Sequence, residues 1–403
     1  MESCVARQPI FNNNMEIFGY ELLYRHDDKS TAFQGEVSQD TATTETIVNS
    51  FHSIGIHKIT NGKYAFVNFT EKLLLSQIAT LLPSSLLIIE ILENISPTEE
   101  VLEACQTLRK KGYRLALDDF VFKPQYEKFL SVAGIVKIDF RNTPLEEIKI
   151  TMSEAKKHQI IFLAEKLETL EDYELAKSMG FSLFQGFFFS KPRIVNAATT
   201  LAPNLLLRLQ LVKLAFDPNV NYRKIAEIIK HDTALTYRLF RVVNSVFFGL
   251  DYKVSNIRQA LSILGMDEIK KWITLISLSQ IGNNKPSELI TMSLIRGRSM
   301  ELIAPKAGLA SRAEDMFIVG LMSLMDAITD TSMQEIILLT SISPSIAEPL
   351  LYGTGIIGDI LTSIIHYENS RWAKAQELAA KYCVSLNDIS KAYLQAIEWS
   401  NNF

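Results

Sequence analysis

The sequence predicts two parts of different class: a TIM-like (β/α)8 barrel over residues 1–195 and an all-α module over residues 196–403. Three observations lead there. Short apolar runs alternate with helical patterns as far as Lys191-Pro192 and then stop. A stretch through Ala197, Thr199, Thr200 and Pro203 has the composition of a linker. From about Asn204 onward the apolar residues recur at helical spacing.

In the first part the strand-like runs are Phe18 to Leu23, Tyr64 to Phe69, Leu86 to Leu92, Arg114 to Leu117, Ile135 to Phe140, Ile160 to Ala164 and Ser182 to Phe189. Strands that alternate with helices pair in parallel, and seven or eight such units close a barrel, although periodicity alone also admits an open doubly wound sheet. In the second part Leu235, Leu239, Val242 and Val243 share one helical face, and Ile257, Leu261 and Leu264 share another before Gly265, a C-terminal cap.

The bulk numbers agree with two cores. A chain of 403 residues exceeds what one core usually serves, and 47% hydrophobic with 21% charged residues is the composition of a folded protein. The formal charge of -4 is spread along the chain, so general nucleic-acid binding is not expected. Cys4, Cys105 and Cys383 are too few and too scattered for a disulfide framework or a thiolate zinc site, which fits a reducing cytoplasm. The N-terminus has no signal-peptide pattern and no apolar run reaches the roughly 18 residues that span a bilayer, so a soluble cytoplasmic protein without membrane attachment is expected.

Polar residues interrupt the strand-like runs in a systematic way. At or beside successive runs stand Glu21, Asn68, Glu90, Asp118 with Asp119, Lys137, Glu165 with Glu168, and Gln185. One acid at a strand end is ordinarily a solvated turn residue or a helix cap. A whole series, each member interrupting an apolar run, is costly to bury unless paired or metal-bound. In a barrel these side chains converge on the face where active sites are built. Oxygen ligands from Glu, Asn and Asp suit Mg²⁺ or Mn²⁺, and a nearby Lys suits charge on a phosphoryl oxygen. The set therefore describes metal-assisted phosphoester hydrolysis, with two metals about 4 Å apart and a carboxylate that takes the proton of a water.

The strings ELLYR at Glu21 to Arg25, VNF around Asn68, EILE at Glu90 to Glu93, LDDF at Leu117 to Phe120, VKID at Val136 to Asp139, AEKLE at Ala164 to Glu168 and FQGF at Phe184 to Phe187 resemble the ordered signatures of EAL-domain cyclic di-GMP phosphodiesterases. The resemblance covers about residues 1 to 192, and RQPIF followed by GYELLYR is similar to the subgroup that carries a C-terminal HDOD domain. It implies that Glu21, Asn68, Glu90 and Asp118 ligate metal, with Asp119 bridging or completing a second site. It further implies that Lys137 orients the attacking water or stabilises phosphoryl charge, and that Glu165 is the general base. Glu168 and Gln185 would support metal and base, and Arg25 and Gln185 would contact substrate. Two Mg²⁺ or Mn²⁺ ions, cyclic di-GMP as ligand, pGpG as product, a protein partner through the HDOD part and room for a homodimer complete the expectation.

Three positions depart from the family pattern. Leu22 stands for the Ala of the name motif, and Leu92 for a Thr between two glutamates. After Asp119-Phe120 the family continues Gly-Thr-Gly-Tyr-Ser-Ser-Leu, a flexible loop steadied by the position of Glu93, whereas here Val121-Phe122-Lys123-Pro124-Gln125 follows. Val, Phe and Pro cannot adopt glycine's backbone conformations, so a stiffer loop and low activity are expected, with a non-catalytic cyclic di-GMP receptor as the alternative.

His231-Asp232 invites a reading as a metal dyad, but His366 is the other histidine of the second half, so a His-rich dinuclear site cannot be assembled. Asp232 reads instead as a helix cap. The segment from Ile225 to Met266, with Asn244-Ser245 and Gly265, resembles an HDOD domain, a helical relative of HD hydrolases without their metal ligands. The apolar stretch Met316 to Met325 reads as core rather than as a partner surface.

Overall fold

Side chains along a strand alternate between two faces, so a closed sheet must send every second residue inward. The computed structural model of the protein describes residues 3–26, 55–191, 221–230, 233–244, 253–266, 268–269, 272–273, 286–340 and 342–401. Eight strands close a barrel in chain order: β1 Ser3–Asn12, β2 Ile17–His26, β3 Tyr64–Phe69, β4 Leu87–Ile91, β5 Arg114–Leu117, β6 Ile135–Asp139, β7 Ile161–Leu167 and β8 Leu183–Gly186. From β2 to β8 neighbours are parallel, as the alternation of strand and helix predicts. The first strand is the exception, because β1 runs antiparallel to both β2 and β8. It is also absent from the apolar runs, since Arg7, Gln8 and Pro9 interrupt its hydrophobic residues. The β1–β2 hairpin turns on Asn12, whose Oδ1 accepts the N–H groups of Asn14 and Glu16.

Ile10, Phe66, Ile88, Ala116, Ile135, Leu163 and Leu183 form one apolar layer inside the barrel. In β3 to β8 the residue two places further on is Asn68, Glu90, Asp118, Lys137, Glu165 or Gln185. The strand period therefore stacks a polar layer directly above an apolar one. In β2 the corresponding residues are Gly19 and Glu21, and a Cβ at Gly19 would lie 2.7 Å from the Tyr64 carbonyl and 3.0 Å from the Phe66 ring, so glycine makes room for Phe66.

The barrel helices are α1 Ile56–Thr60, α2 Glu71–Leu75, α3 Glu99–Lys110, α4 Glu127–Leu130, α5 Leu145–Ala155 and α6 Leu170–Met179. In α3, Thr98 caps the Val101 N–H while Val101, Cys105 and Leu108 bury one face. A Thr169–Asp172 capping box starts α6, and Gly180 ends it in the left-handed conformation.

The helical half divides in two. Helices α7 Tyr222–Lys230, α8 Thr233–Val243 and α9 Ile257–Leu264 surround their own core of Ile225, Ile229, Leu239, Val243, Leu261 and Trp272. Asn244 ties this unit together: its amide donates to the Val254 carbonyl at 2.9 Å and accepts the Val254 N–H at 2.7 Å. Gly265 caps α9 as expected. The following helices are α10 Ser287–Ile303, α11 Ala313–Met322, α12 Met325–Thr329, α13 Met333–Thr340, α14 Pro344–Tyr352, α15 Gly355–Glu368, α16 Trp372–Ala380 and α17 Leu386–Ser400. Their apolar side chains continue the core of the barrel instead, and α15 and α17 pack on β1. Tyr367 donates a hydrogen bond to the Val5 carbonyl at 2.9 Å, and Glu288 faces Arg7 at 3.9 Å while accepting from Tyr20 at 3.0 Å. Among the described residues of the helical part, expected over 196–403, side chains thus gather in two packing units, because β1 offers an outer face that α10, α15 and α17 cover. The expected linker at residues 197–203 and the dyad His231-Asp232 lie outside the described residues, as does Ser245. Met316, Phe317, Ile318, Val319, Leu321, Met322, Leu324 and Met325 are buried, which makes that stretch core. Among the described residues no helix is long and apolar enough to cross a membrane.

Candidate active site

Lys137 stands at the centre of the polar layer and is fully buried. Its Nζ lies 2.5 Å from Glu90, 2.7 Å from Asp118, 2.9 Å from Glu165 and 3.7 Å from Glu21. Each partner comes from a different strand, so closure of the barrel is what gathers them. Gln185 joins from β8, donating to Glu21 at 2.6 Å and to Gln8 at 3.1 Å. Asn68 sits beside Glu90 in the β3–β4 register. Asn68 Oδ1, Glu90 Oε2 and Gln185 Oε1 are buried without a hydrogen-bond partner.

Four carboxyl groups against one ammonium leave the cluster short of positive charge. Burial, relieved in part by Lys137 and reinforced by Glu21 and Asp118, holds the Glu90 carboxyl well above its usual range. Glu165 is pushed up to about 8, first by burial, with Lys137 opposing and Asp118 and Glu21 adding. Burial alone would discharge Lys137, but Glu165, Glu21, Glu90 and Asp118 together raise its pKa and keep it charged. Among the described residues no three acids are arranged as a ready metal cage, because the ammonium occupies the point where they meet. The donor set nevertheless fits a hard divalent cation: four carboxyls gathered on one ammonium, and unpartnered oxygens on Asn68 and Glu90.

The EAL domain profile matches residues 2–192 and the HDOD domain profile matches residues 201–333. Over 410 aligned residues the chain is 36% identical to the uncharacterized protein YuxH of Bacillus subtilis (strain 168), covering 100% of this chain and 99% of that one. It is 33% identical to the cyclic di-GMP phosphodiesterase CdgJ of Vibrio cholerae serotype O1, covering 99% of this chain and 92% of the relative. The chain belongs to the EAL–HDOD family. Among solved structures it is similar to a standalone versatile EAL protein from Vibrio cholerae O395 in its c-di-GMP-bound form, at 22% identity and a TM-score of 0.38 over 47% of this chain and 91% of that one.

The EAL–HDOD barrel does not bring every expected site residue to Lys137. Asp119 takes a left-handed conformation, φ 42°, and turns to Lys166, whose Nζ lies 3.1 and 3.2 Å from its two oxygens. Lys166 also donates to Asp139 at 2.7 Å. Burial works against both charges, but their mutual hydrogen bond, with Asn142 also donating to Asp139, keeps that acid below its usual range and Lys166 above. Glu168 lies away from the cluster, ion-paired to Arg141 and, at 3.6 Å, to Lys191. Glu93 is exposed. The backbone of Arg25 pairs with Cys4 in the β1–β2 hairpin, and its side chain lies outside the described residues.

Gln8, Asp139 and Lys166 are the site neighbours that the sequence reading missed. Asp139 was legible as the residue two places after Lys137, whereas Lys166 depends on a bulge in β7 between Ala164 and Leu167. That bulge presses on β8, where a Cβ at Gly186 would lie 2.1 Å from the Leu167 carbonyl. The loop after Asp119 is anchored: the Phe120 N–H donates to the Lys137 carbonyl, the Phe122 N–H to Thr151 Oγ1, and Phe120 packs edge-on against Tyr126.

Proposed function

We propose that the barrel hydrolyses one phosphodiester bond of cyclic di-GMP, giving linear pGpG, and that the helical half regulates or couples this activity to a protein partner. The observation that carries the proposal is the convergence of Glu21, Glu90, Asp118 and Glu165 on the buried Lys137 at the C-terminal ends of the strands. Full-length identity of 33% to a protein named as a cyclic di-GMP phosphodiesterase supports the substrate.

Glu21, Asn68, Glu90 and Asp118 would hold a divalent ion, which would polarise the phosphodiester and acidify a water. Glu165 in its ionised form, beside Lys137, would accept the proton of an attacking water as it adds to phosphorus, while the bond to the leaving sugar oxygen breaks and that oxygen takes up a proton. Lys137 keeps Glu165 and Asp118 in place and offsets negative charge that grows in the transition state. Gln185 orients Glu21. The receptor alternative draws on the anchored loop and on the engagement of Asp119 by Lys166. Incubating the protein with cyclic di-GMP and Mg²⁺ or Mn²⁺ tests the two: pGpG release supports the enzyme, and saturable binding without pGpG sinks it in favour of the receptor.

A further inference from the structure

We infer that Lys166 is a resident cation at the position of a second metal, so that the barrel loads one divalent ion instead of two. The inference rests on the metal-site reading above and deepens it. A metal completed by Asp119 needs at least one free oxygen on that carboxylate, yet both oxygens lie on Lys166 Nζ, at 3.1 and 3.2 Å. The same ammonium holds Asp139 at 2.7 Å, and Asp139 is further fixed by the N–H groups of Arg141 and Asn142 and by the Asn142 amide. The carboxylates of two strand ends are thereby bridged by a positive charge that belongs to the chain.

The backbone is shaped for this bridge. Lys166 sits at φ 58° and Asp119 at φ 42°, both in the left-handed region where a non-glycine residue needs a compensating interaction. The β7 bulge places Lys166 out of the alternation that sends Glu165 inward, and directs it to the neighbouring strand ends. The other group of ligands also meets an ammonium, Lys137, but through one oxygen of each carboxylate: Glu90 Oε1, Asp118 Oδ1 and Glu21 Oε2 face it, while Asn68 Oδ1 and Glu90 Oε2 have no hydrogen-bond partner. The single ion therefore belongs to Glu21, Asn68, Glu90 and Asp118, and Lys166 takes over charge balance at Asp119. An ammonium donates hydrogen bonds to a phosphoryl oxygen but does not acidify water as a divalent ion does, so Lys166 is a positioning residue here.

Equilibrium dialysis of the full-length protein against MnCl2, with bound manganese counted by elemental analysis, tests the inference without any turnover measurement. The wild type should bind one ion per chain. Lys166→Gly, which also suits the left-handed backbone, and Lys166→Met, which keeps the side-chain length, should each bind two, and Lys166→Arg should stay at one. Adding Asp119→Asn to Lys166→Gly should return the count to one. Two ions in the wild type, or one in both Lys166→Gly and Lys166→Met, would overturn the inference while leaving the metal-site reading intact. No manganese in any of these proteins overturns that reading and the inference with it.

Discussion

Lys137→Met removes the ammonium that four carboxyls share and replaces it with an apolar chain of similar length. Deleting one partner of a buried ion pair costs about 3–5 kcal/mol, because the other is left desolvated. Glu165 is held at about 8 by burial even with Lys137 in place, so the ammonium only partly offsets the cost of a buried charge there. The sign follows from linkage. A carboxyl raised in the fold contributes stability that is complete below pH 4.5 and is lost as pH rises through about 8. Without Lys137 the carboxyl keeps its proton to higher pH, since the ammonium is what favours the ionised form inside the barrel. At roughly 2–4 °C per kcal/mol, the melting temperature should fall by about 6–20 °C in EDTA, and the fall should widen above pH 8, where the wild type stops losing stability through this carboxyl and the variant does not. Differential scanning fluorimetry of wild type and variant from below to above pH 8 is the assay. No fall, or a fall that stays constant above pH 8, would refute the electrostatic account of the cluster.

If the proposed metal site is right, Glu21→Ala and Asp118→Ala should each abolish pGpG formation in a manganese assay while circular dichroism shows an unchanged fold, because each would remove one of its oxygen ligands. Glu165→Gln should lower turnover by roughly 10²–10⁴ with cyclic di-GMP affinity retained in isothermal titration, and should raise the melting temperature of the metal-free protein at pH 8, where the amide has no proton to lose. Asn244→Ala strips a donor and an acceptor from Val254 and should cost about 1–3 kcal/mol, read as faster amide exchange in α7 to α9 with the barrel unaffected. Grafting the family's glycine-rich sequence onto Val121 to Gln125 should raise pGpG release, since the anchor from Phe122 to Thr151 goes with the native loop; an unchanged rate counts against the loop as a brake.

Residues that obey the strand period were legible before any fold was known. Asn68, Glu90, Lys137, Glu165 and Gln185 interrupt apolar runs at the place where β3, β4, β6, β7 and β8 carry the polar layer. Chain order could not show which charges meet, because Lys137 collects partners from strands far apart in sequence. Strand β1 escaped notice because Arg7 and Gln8 look solvent-exposed in sequence, whereas Arg7 is buried and Gln8 half-buried, each against a partner far along the chain: Glu288 for Arg7 and Gln185 for Gln8. The β7 bulge is a departure from period two and leaves no mark in composition, so nothing in the sequence singles out Lys166.

Arg7 and Gln8 are consecutive residues with separate allegiances, one to the helices and one to the carboxyl cluster. A chain cut near residue 195 would therefore not release a self-sufficient barrel. It would strand a buried guanidinium, uncover the Val5 carbonyl and leave Tyr20 without its acceptor. Helices α10 to α17 are in that sense the outer wall of the barrel, and the compact unit from α7 to α9, with its own core, is a cassette spliced between wall and barrel. Substitutions on the outer surface of that cassette leave the carboxyl cluster untouched, whereas any change in β1 is felt both in the cluster and in the outer wall.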